Sequence, residues 1–143
     1  MEPLAVEESV WIQAPRERVW RAITESEQIR QWWGGDYWEI TGLQPGAEVL
    51  FGDEQSPIRA RVSAAEAPRE FGLRWPPLPE LGDAAFHTTY NLDEENGGTR
   101  VRVRESGFEA LAQDLRQARF DSTRQGYQTV LQDLKRYIEG EAA

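Results

Sequence analysis

Hydrophobic residues change their spacing twice along this chain, and the changes divide it into three stretches. From Val6 to Ile12 they alternate, with Val10 and Ile12 on one face and Trp11 on the other, which predicts a first strand. Ala14-Pro15-Arg16-Glu17 follows. Proline suits the first helical position, where its missing N–H would be unpaired anyway, so a short helix burying Val19, Trp20 and Ile23 is predicted. Thr24-Glu25-Ser26-Glu27 has capping-box spacing and predicts a second short helix. That helix carries Ile29, Trp32 and Trp33 and ends at Gly34-Gly35.

From Tyr37 to Glu105 the period becomes two. Trp38 and Ile40 share a face, as do Val49 and Phe51, then Ile58, Ala60, Val62 and Ala64. Phe71, Leu73 and Trp75 follow, then Phe86, Thr88, Tyr90 and Leu92, and finally Val101 and Val103. The alternate positions are polar, and one dry face with one wet face marks an antiparallel sheet covered on one side. Asn96-Gly97-Gly98 reads as a hairpin turn, because Asn and Gly tolerate positive φ. Pro76-Pro77-Leu78-Pro79 cannot pair as a central strand and reads as a loop.

In the last stretch Phe120, Thr123, Tyr127, Val130, Leu131, Leu134, Tyr137 and Ile138 fall on one helical stripe, which Gly140 ends. Its start lies near Asp114 or near Asp121, with Phe108 to Arg119 as a separate turn in the second case. The layers make an α+β domain of about six or seven strands, with two short helices after the first strand and a long C-terminal helix laid on the dry face.

A chain of 143 residues is the size of one domain, read here as residues 1–143, and can bury a core without disulfides or metal. Cysteine is absent, which removes thiolate chemistry and Cys-type zinc sites. A net charge of −9 with no basic run argues against nucleic acid and against anionic membranes. The N-terminus is acidic and lacks an apolar signal core, and no stretch approaches the ~20 apolar residues of a membrane span. A cytoplasmic protein is the expectation.

Several motifs together resemble one family. Ala14-Pro15-x-x-x-Val19-Trp20-x-Ala22-Ile23-Thr24 resembles the opening of SRPBCC (START-like) proteins, in the branch of homologues of the heat-shock protein 90 ATPase activator's C-terminal domain. Trp32-Trp33-Gly34, Gly98-Thr99-Arg100-Val101, Glu105-Ser106-Gly107-Phe108 and Gly126-Tyr127-x-x-x-Leu131-x-x-Leu134 fit the same branch over nearly the whole chain. The family often has Trp after the helix glycine; Tyr127 stands there in this sequence and brings a hydroxyl that needs a partner when buried. The resemblance implies a helix-grip fold, a curved sheet wrapped round a long helix, often with a cavity between them. It implies no single function, since such proteins include lipid and hormone binders, polyketide cyclases and cochaperone domains.

Trp33, Trp38, Phe51, Trp75, Tyr90, Phe120 and Tyr127 all point inward by phase. They read either as ordinary core or as the lining of a ligand cavity. Gly126, inside the predicted helix, costs roughly 1 kcal/mol relative to alanine. Close packing by Trp75 or a ligand would compensate, which favours a cavity. Glu8 and Glu105 share the phase of inward neighbours and are the candidate catalytic carboxyls, since burial suits a carboxyl to acid–base work. Their plainer reading places both at strand ends, in water or against arginine. His87, the only histidine, falls on the wet face and reads as a surface residue. One histidine cannot build the usual metal clusters, and no metal or cofactor is expected.

Arg59, Arg61, Arg74, Arg100, Arg102 and Arg104 form a stripe on the convex face, either a docking surface for an acidic partner or a solvated face balanced by Glu39, Glu66 and Glu70. The preferred function is binding of an apolar or amphipathic small molecule, lipid-like or polyketide-like. The alternatives are a cochaperone-like interaction module, whose partner is a chaperone or a second copy of the chain, and a cyclase or dehydratase using a cavity carboxyl. Binding is preferred to catalysis.

Overall fold

The computed structural model describes residues 5–33, 36–77 and 85–141. Strand β1 (Ala5–Ile12) leads into helices α1 (Arg16–Thr24) and α2 (Ser26–Trp32). Strands β2 (Tyr37–Ile40), β3 (Glu48–Gly52), β4 (Ile58–Glu66), β5 (Glu70–Arg74), β6 (His87–Glu95) and β7 (Gly98–Ser106) follow. A 3-10 turn (Phe108–Ala110) precedes the long helix α3 (Gln113–Glu141). All seven strands join one antiparallel sheet in the order β1-β7-β6-β5-β4-β3-β2. This is the expected α+β helix-grip arrangement, and α3 starts at the earlier of the two predicted points.

Alternation produces the strands because each buries one face. Val6, Val10 and Ile12 of β1, Leu92 of β6, and Val101 and Val103 of β7 are all buried. Helix α3 lies chiefly on β1, with α1 and α2 against its flank. Leu131, Leu134 and Ile138 carry its buried stripe, and each such side chain contributes roughly 1.5–3 kcal/mol of apolar burial. Asn96 (φ 50°) and Gly97 (φ 79°) make the two-residue turn between β6 and β7, with Glu95 paired to Gly98. Gly107 (φ 116°) ends β7 where a side chain would collide with the Ala85 carbonyl oxygen.

Local details depart from the sequence reading. Pro15 is the N-cap of α1 (φ −70°, ψ 157°), one position before the first helical residue. The capping box does not form: Thr24 is the last residue of α1 and its hydroxyl donates to the Trp20 carbonyl at 2.7 Å. Glu25 is the N-cap of α2, and the Ser26 hydroxyl accepts instead from the Ile40 N–H at 2.8 Å. Gly140 lies within α3, not after it; its helical conformation is open to any residue, so glycine there forces no stop. Gly34-Gly35 and Leu78-Pro79 lie outside the described residues.

Strand β4 shows why a constant period misleads. Val62 pairs with Leu73, but the register then slips, so that Ala64 pairs with Gly72 and Ala65 with Phe71. The bulge turns Ala65 toward the core, where the uninterrupted alternation placed Ala64.

A cavity at the aromatic end of the sheet

One row of paired residues crosses the inner face. Trp38 of β2 pairs with Phe51 of β3, and Phe51 with Ile58 of β4. Farther along the sheet Leu73 of β5 pairs with Thr88 of β6, and Thr88 with Glu105 of β7. Trp33, the C-cap of α2, closes one side. Trp75, just after β5, closes another. Trp33 and Trp38 lie 5.0 Å apart, Trp38 and Phe51 4.6 Å, and Phe51 and Trp75 5.5 Å between ring centroids, all edge-on or tilted. Each such pair adds ≈ 0.5–1.5 kcal/mol beyond burial. The rings meet at edges, and a space of about 170 Å³ remains among them.

Six of the seven aromatic residues singled out from the sequence line this space: Trp33, Trp38, Phe51, Trp75, Tyr90 and Tyr127. Phe120 does not. Its ring packs on Phe108 at 5.5 Å, so it belongs to the contact between α3 and the 3-10 turn. Ile58, Leu73, Phe86, Thr88, Glu105 and Arg119 complete the lining. Ile58 is 38% exposed, because it opens β4 at the rim instead of sitting in the core. Gly126 takes no part: it is exposed, and an added Cβ would meet nothing within 4 Å. Among the described residues, neither Trp75 nor any other side chain lies where that Cβ would point.

The polar centre of the cavity is a hydrogen-bonded group. The Trp75 indole N–H donates to the Thr88 hydroxyl at 3.0 Å, and that hydroxyl donates to Glu105 Oε1 at 2.7 Å. The Tyr127 hydroxyl donates to the same oxygen at 2.6 Å. Tyr127 therefore has the partner its hydroxyl requires. Burial raises the Tyr127 pKa well above its ordinary value, with Tyr90 and the Glu105 carboxylate adding to the effect. Burial likewise raises that of Tyr90, again with help from Glu105. Both tyrosines stay neutral and able to donate across the physiological range. Glu105 Oε2 accepts no bond from the described residues, and it is not among the sealed, unpartnered atoms. Glu105 itself lines the cavity. The indole N–H of Trp38 is buried and has no partner among the described residues.

The two candidate carboxyls separate. Glu105 is neither in bulk water nor against an arginine, because its register partners place it under α3. Glu8 is outside the cavity: on the edge strand it meets the flank of α3 and accepts from Gln128 Nε2 at 2.6 Å in the open. His87 is not a bare surface residue either. Its Nε2 lies 2.9 Å from the Ser63 hydroxyl at the β4 bulge. Partial burial lowers its pKa from the ordinary 6.5, with Arg74 and Arg104 lowering it further and Glu70 opposing them. No carboxylate hydrogen-bonds to the imidazole among the described residues, so no Ser-His-Asp relay is assembled there. No group of three or more potential metal ligands occurs among the described residues.

On the convex face four of the six arginines pair with acids other than those anticipated. Arg59 pairs with Glu48 (3.3 Å), Arg100 with Glu95 (2.7 Å), Arg102 with Asp93 (3.6 Å) and Arg104 with Glu7 (3.2 Å). Arg61 donates to the Gly46 carbonyl. Cross-strand register decides these pairs, and Glu66 is taken by Arg69 three residues on. None of the described helices is long and apolar enough to cross a membrane.

The fold and this cavity define a helix-grip domain with an aromatic hollow between the sheet and its long helix. The sequence matches the family described as activator of Hsp90 ATPase homolog 1-like protein over residues 13–139, and the chain belongs to that family. No curated protein matches the sequence significantly. Solved structures share the fold at low identity. Protein MLL2253 from Mesorhizobium loti superposes with a TM-score of 0.77 at 21% identity, covering 95% of this chain and 97% of its own. The Aha1 dimer from Colwellia psychrerythraea gives 0.75 at 17%, covering 95% and 96%. DynU16, a protein of the dynemicin biosynthetic locus, gives 0.74 at 19%, covering 94% of this chain and 47% of its own.

Proposed function

We propose that this chain acts as one ligand-binding domain whose cavity takes a single small ring. The supporting observation is the pairing of aromatic walls with an enclosed hydrogen-bonding group, Thr88, Glu105 and Tyr127, around free space. Ordinary core packing brings rings into contact without leaving such space. The volume, about 170 Å³, is close to the ~150 Å³ of an engineered protein cavity that accepts benzene. It is well below the ~300–1,000 Å³ of pockets for drug-sized ligands. The ligand is therefore smaller than a long lipid chain or a multi-ring polyketide. Titration calorimetry tests this directly. Saturable one-to-one binding of p-cresol, with no heat from a long-chain fatty acid, is the expected result. Absence of saturation with p-cresol, 4-propylphenol and indole alike would refute the reading.

An enzymatic reading rests on Glu105, the only carboxyl lining the cavity among the described residues. Unchanged turnover of an identified substrate in Glu105→Gln would remove it. Glu8 is no longer a candidate.

A further inference from the structure

Helix α3 adds one cation to the cavity. Arg119 lines its rim, with the guanidinium 5.4 Å from the centre of the Phe86 ring. Arg119 and Tyr127 are eight residues apart, so they lie near one face of the helix. At 1.5 Å per residue they are separated by ~12 Å along its axis. Tyr127 reaches the enclosed polar group and Arg119 stands exposed at the opening. Arg119, like Arg21 and Arg74, has no ion-pair partner among the described residues, and of the three it is the one that lines the cavity. A guanidinium held over an aromatic face keeps its edge free for a planar anion.

The enclosed end has a complementary need. The Thr88 and Tyr127 hydroxyls both donate to Glu105 Oε1, which leaves Oε2 to accept a proton donor from a guest. A hydroxyl on the guest meets that need by donating to Oε2.

We propose, building on the ring-binding reading above, that the cavity selects a hydroxyaryl carboxylate, its ring among Trp33, Trp38 and Trp75, its hydroxyl at Glu105 Oε2, and its carboxylate on Arg119. Arg119 lies more than two turns of α3 from Tyr127, which favours a short aliphatic arm between ring and acid. A carboxylate attached directly to the ring would leave Arg119 unreached or pull the hydroxyl off Glu105.

Three probes separate the parts of the proposal: 3-(4-hydroxyphenyl)propionate, 4-propylphenol without the acid, and 3-phenylpropionate without the hydroxyl. Dissociation constants are measured at low salt on the wild-type chain, Arg119→Gln and Glu105→Gln. The hydroxy acid is expected to bind wild type about three- to fivefold more tightly than 4-propylphenol, the worth of a partly exposed ion pair. Arg119→Gln erases that preference, so that the hydroxy acid binds this variant no more tightly than 4-propylphenol does. Glu105→Gln weakens both phenols more than it weakens 3-phenylpropionate. Circular dichroism checks that each variant is folded, and Glu105→Asp replaces Glu105→Gln where the latter is not. Equal binding of the hydroxy acid and 4-propylphenol by wild type, or a preference surviving in Arg119→Gln, would overturn the anion anchor while leaving ring binding intact. Failure of all three probes to bind would overturn both.

Discussion

The two ends of the inner sheet face solve the same problem differently. At the β1 end, Leu131, Leu134 and Ile138 of α3 meet Val10, Ile12 and Val101 in an aliphatic core, with every one of these residues buried. At the β2–β5 end, Trp33, Trp38, Phe51 and Trp75 meet edge to face and leave about 170 Å³. Branched aliphatic side chains interdigitate to high density, whereas large flat rings held on a pleated surface enclose gaps between them. The aliphatic end holds the helix on the sheet. The aromatic end is where something else can fit.

The largest effects should come from the packed end. Leu134→Ala removes a side chain that is 0% exposed and is expected to cost about 2–5 kcal/mol in urea unfolding. Phe51→Leu, on the half-buried cavity wall, should cost under ~1.5 kcal/mol. Equal losses would abolish the distinction between the two ends. An intermediate loss is expected where the cavity is polar. Tyr127→Phe deletes the donor 2.6 Å from Glu105 Oε1 and should cost about 1–3 kcal/mol, read by the same unfolding assay.

Gly126→Ala sharpens the comparison from the opposite direction. Because a Cβ there meets nothing within 4 Å, the substitution should stabilise α3 by roughly 0.5–1 kcal/mol and leave p-cresol affinity unchanged. Loss of binding would mean that the glycine shapes the cavity after all.

The smallest effect lies on the convex face. The His87 pKa in the folded chain is below its ordinary 6.5, so the folded state holds its proton less readily than the unfolded chain does. Stability is then lost as pH falls through the window just below 6.5. His87→Gln should remove that component, so wild type weakens relative to the variant on going from about pH 7.5 to about pH 5. A stability difference constant with pH would contradict the assigned shift.

Period and composition made the strands, the Asn96-Gly97 turn and the stripe of α3 readable, because each is set by which residues must be dry. The site was readable only in part. Six cavity aromatics followed from phase, yet phase does not say at which end of a sheet a ring lands, and Phe120 was misplaced for that reason. Nor does phase distinguish Glu8 from Glu105; their fates differ because one lies on an edge strand beside Gln128 and the other under Tyr127. The bulge after Val62 inverts the alternation and hides Ala65. Arg119 went unnoticed because a charged residue on a helix ordinarily means solvent. Its eight-residue spacing from Tyr127 was the available signal.

The tryptophan indole N–H groups themselves report on the two ends. Those of Trp11 and Trp32 are engaged with the Glu95 and Ala22 carbonyls, whereas that of Trp38 has no partner among the described residues and its ring lines the cavity. The most direct measurement is therefore the ¹⁵N–¹H spectrum of the tryptophan side chains during titration with 3-(4-hydroxyphenyl)propionate. A ring-binding cavity predicts a saturable shift of the Trp38 and Trp75 signals while those of Trp11 and Trp32 stay in place. Movement of all the signals together, or none at saturating probe, would contradict it.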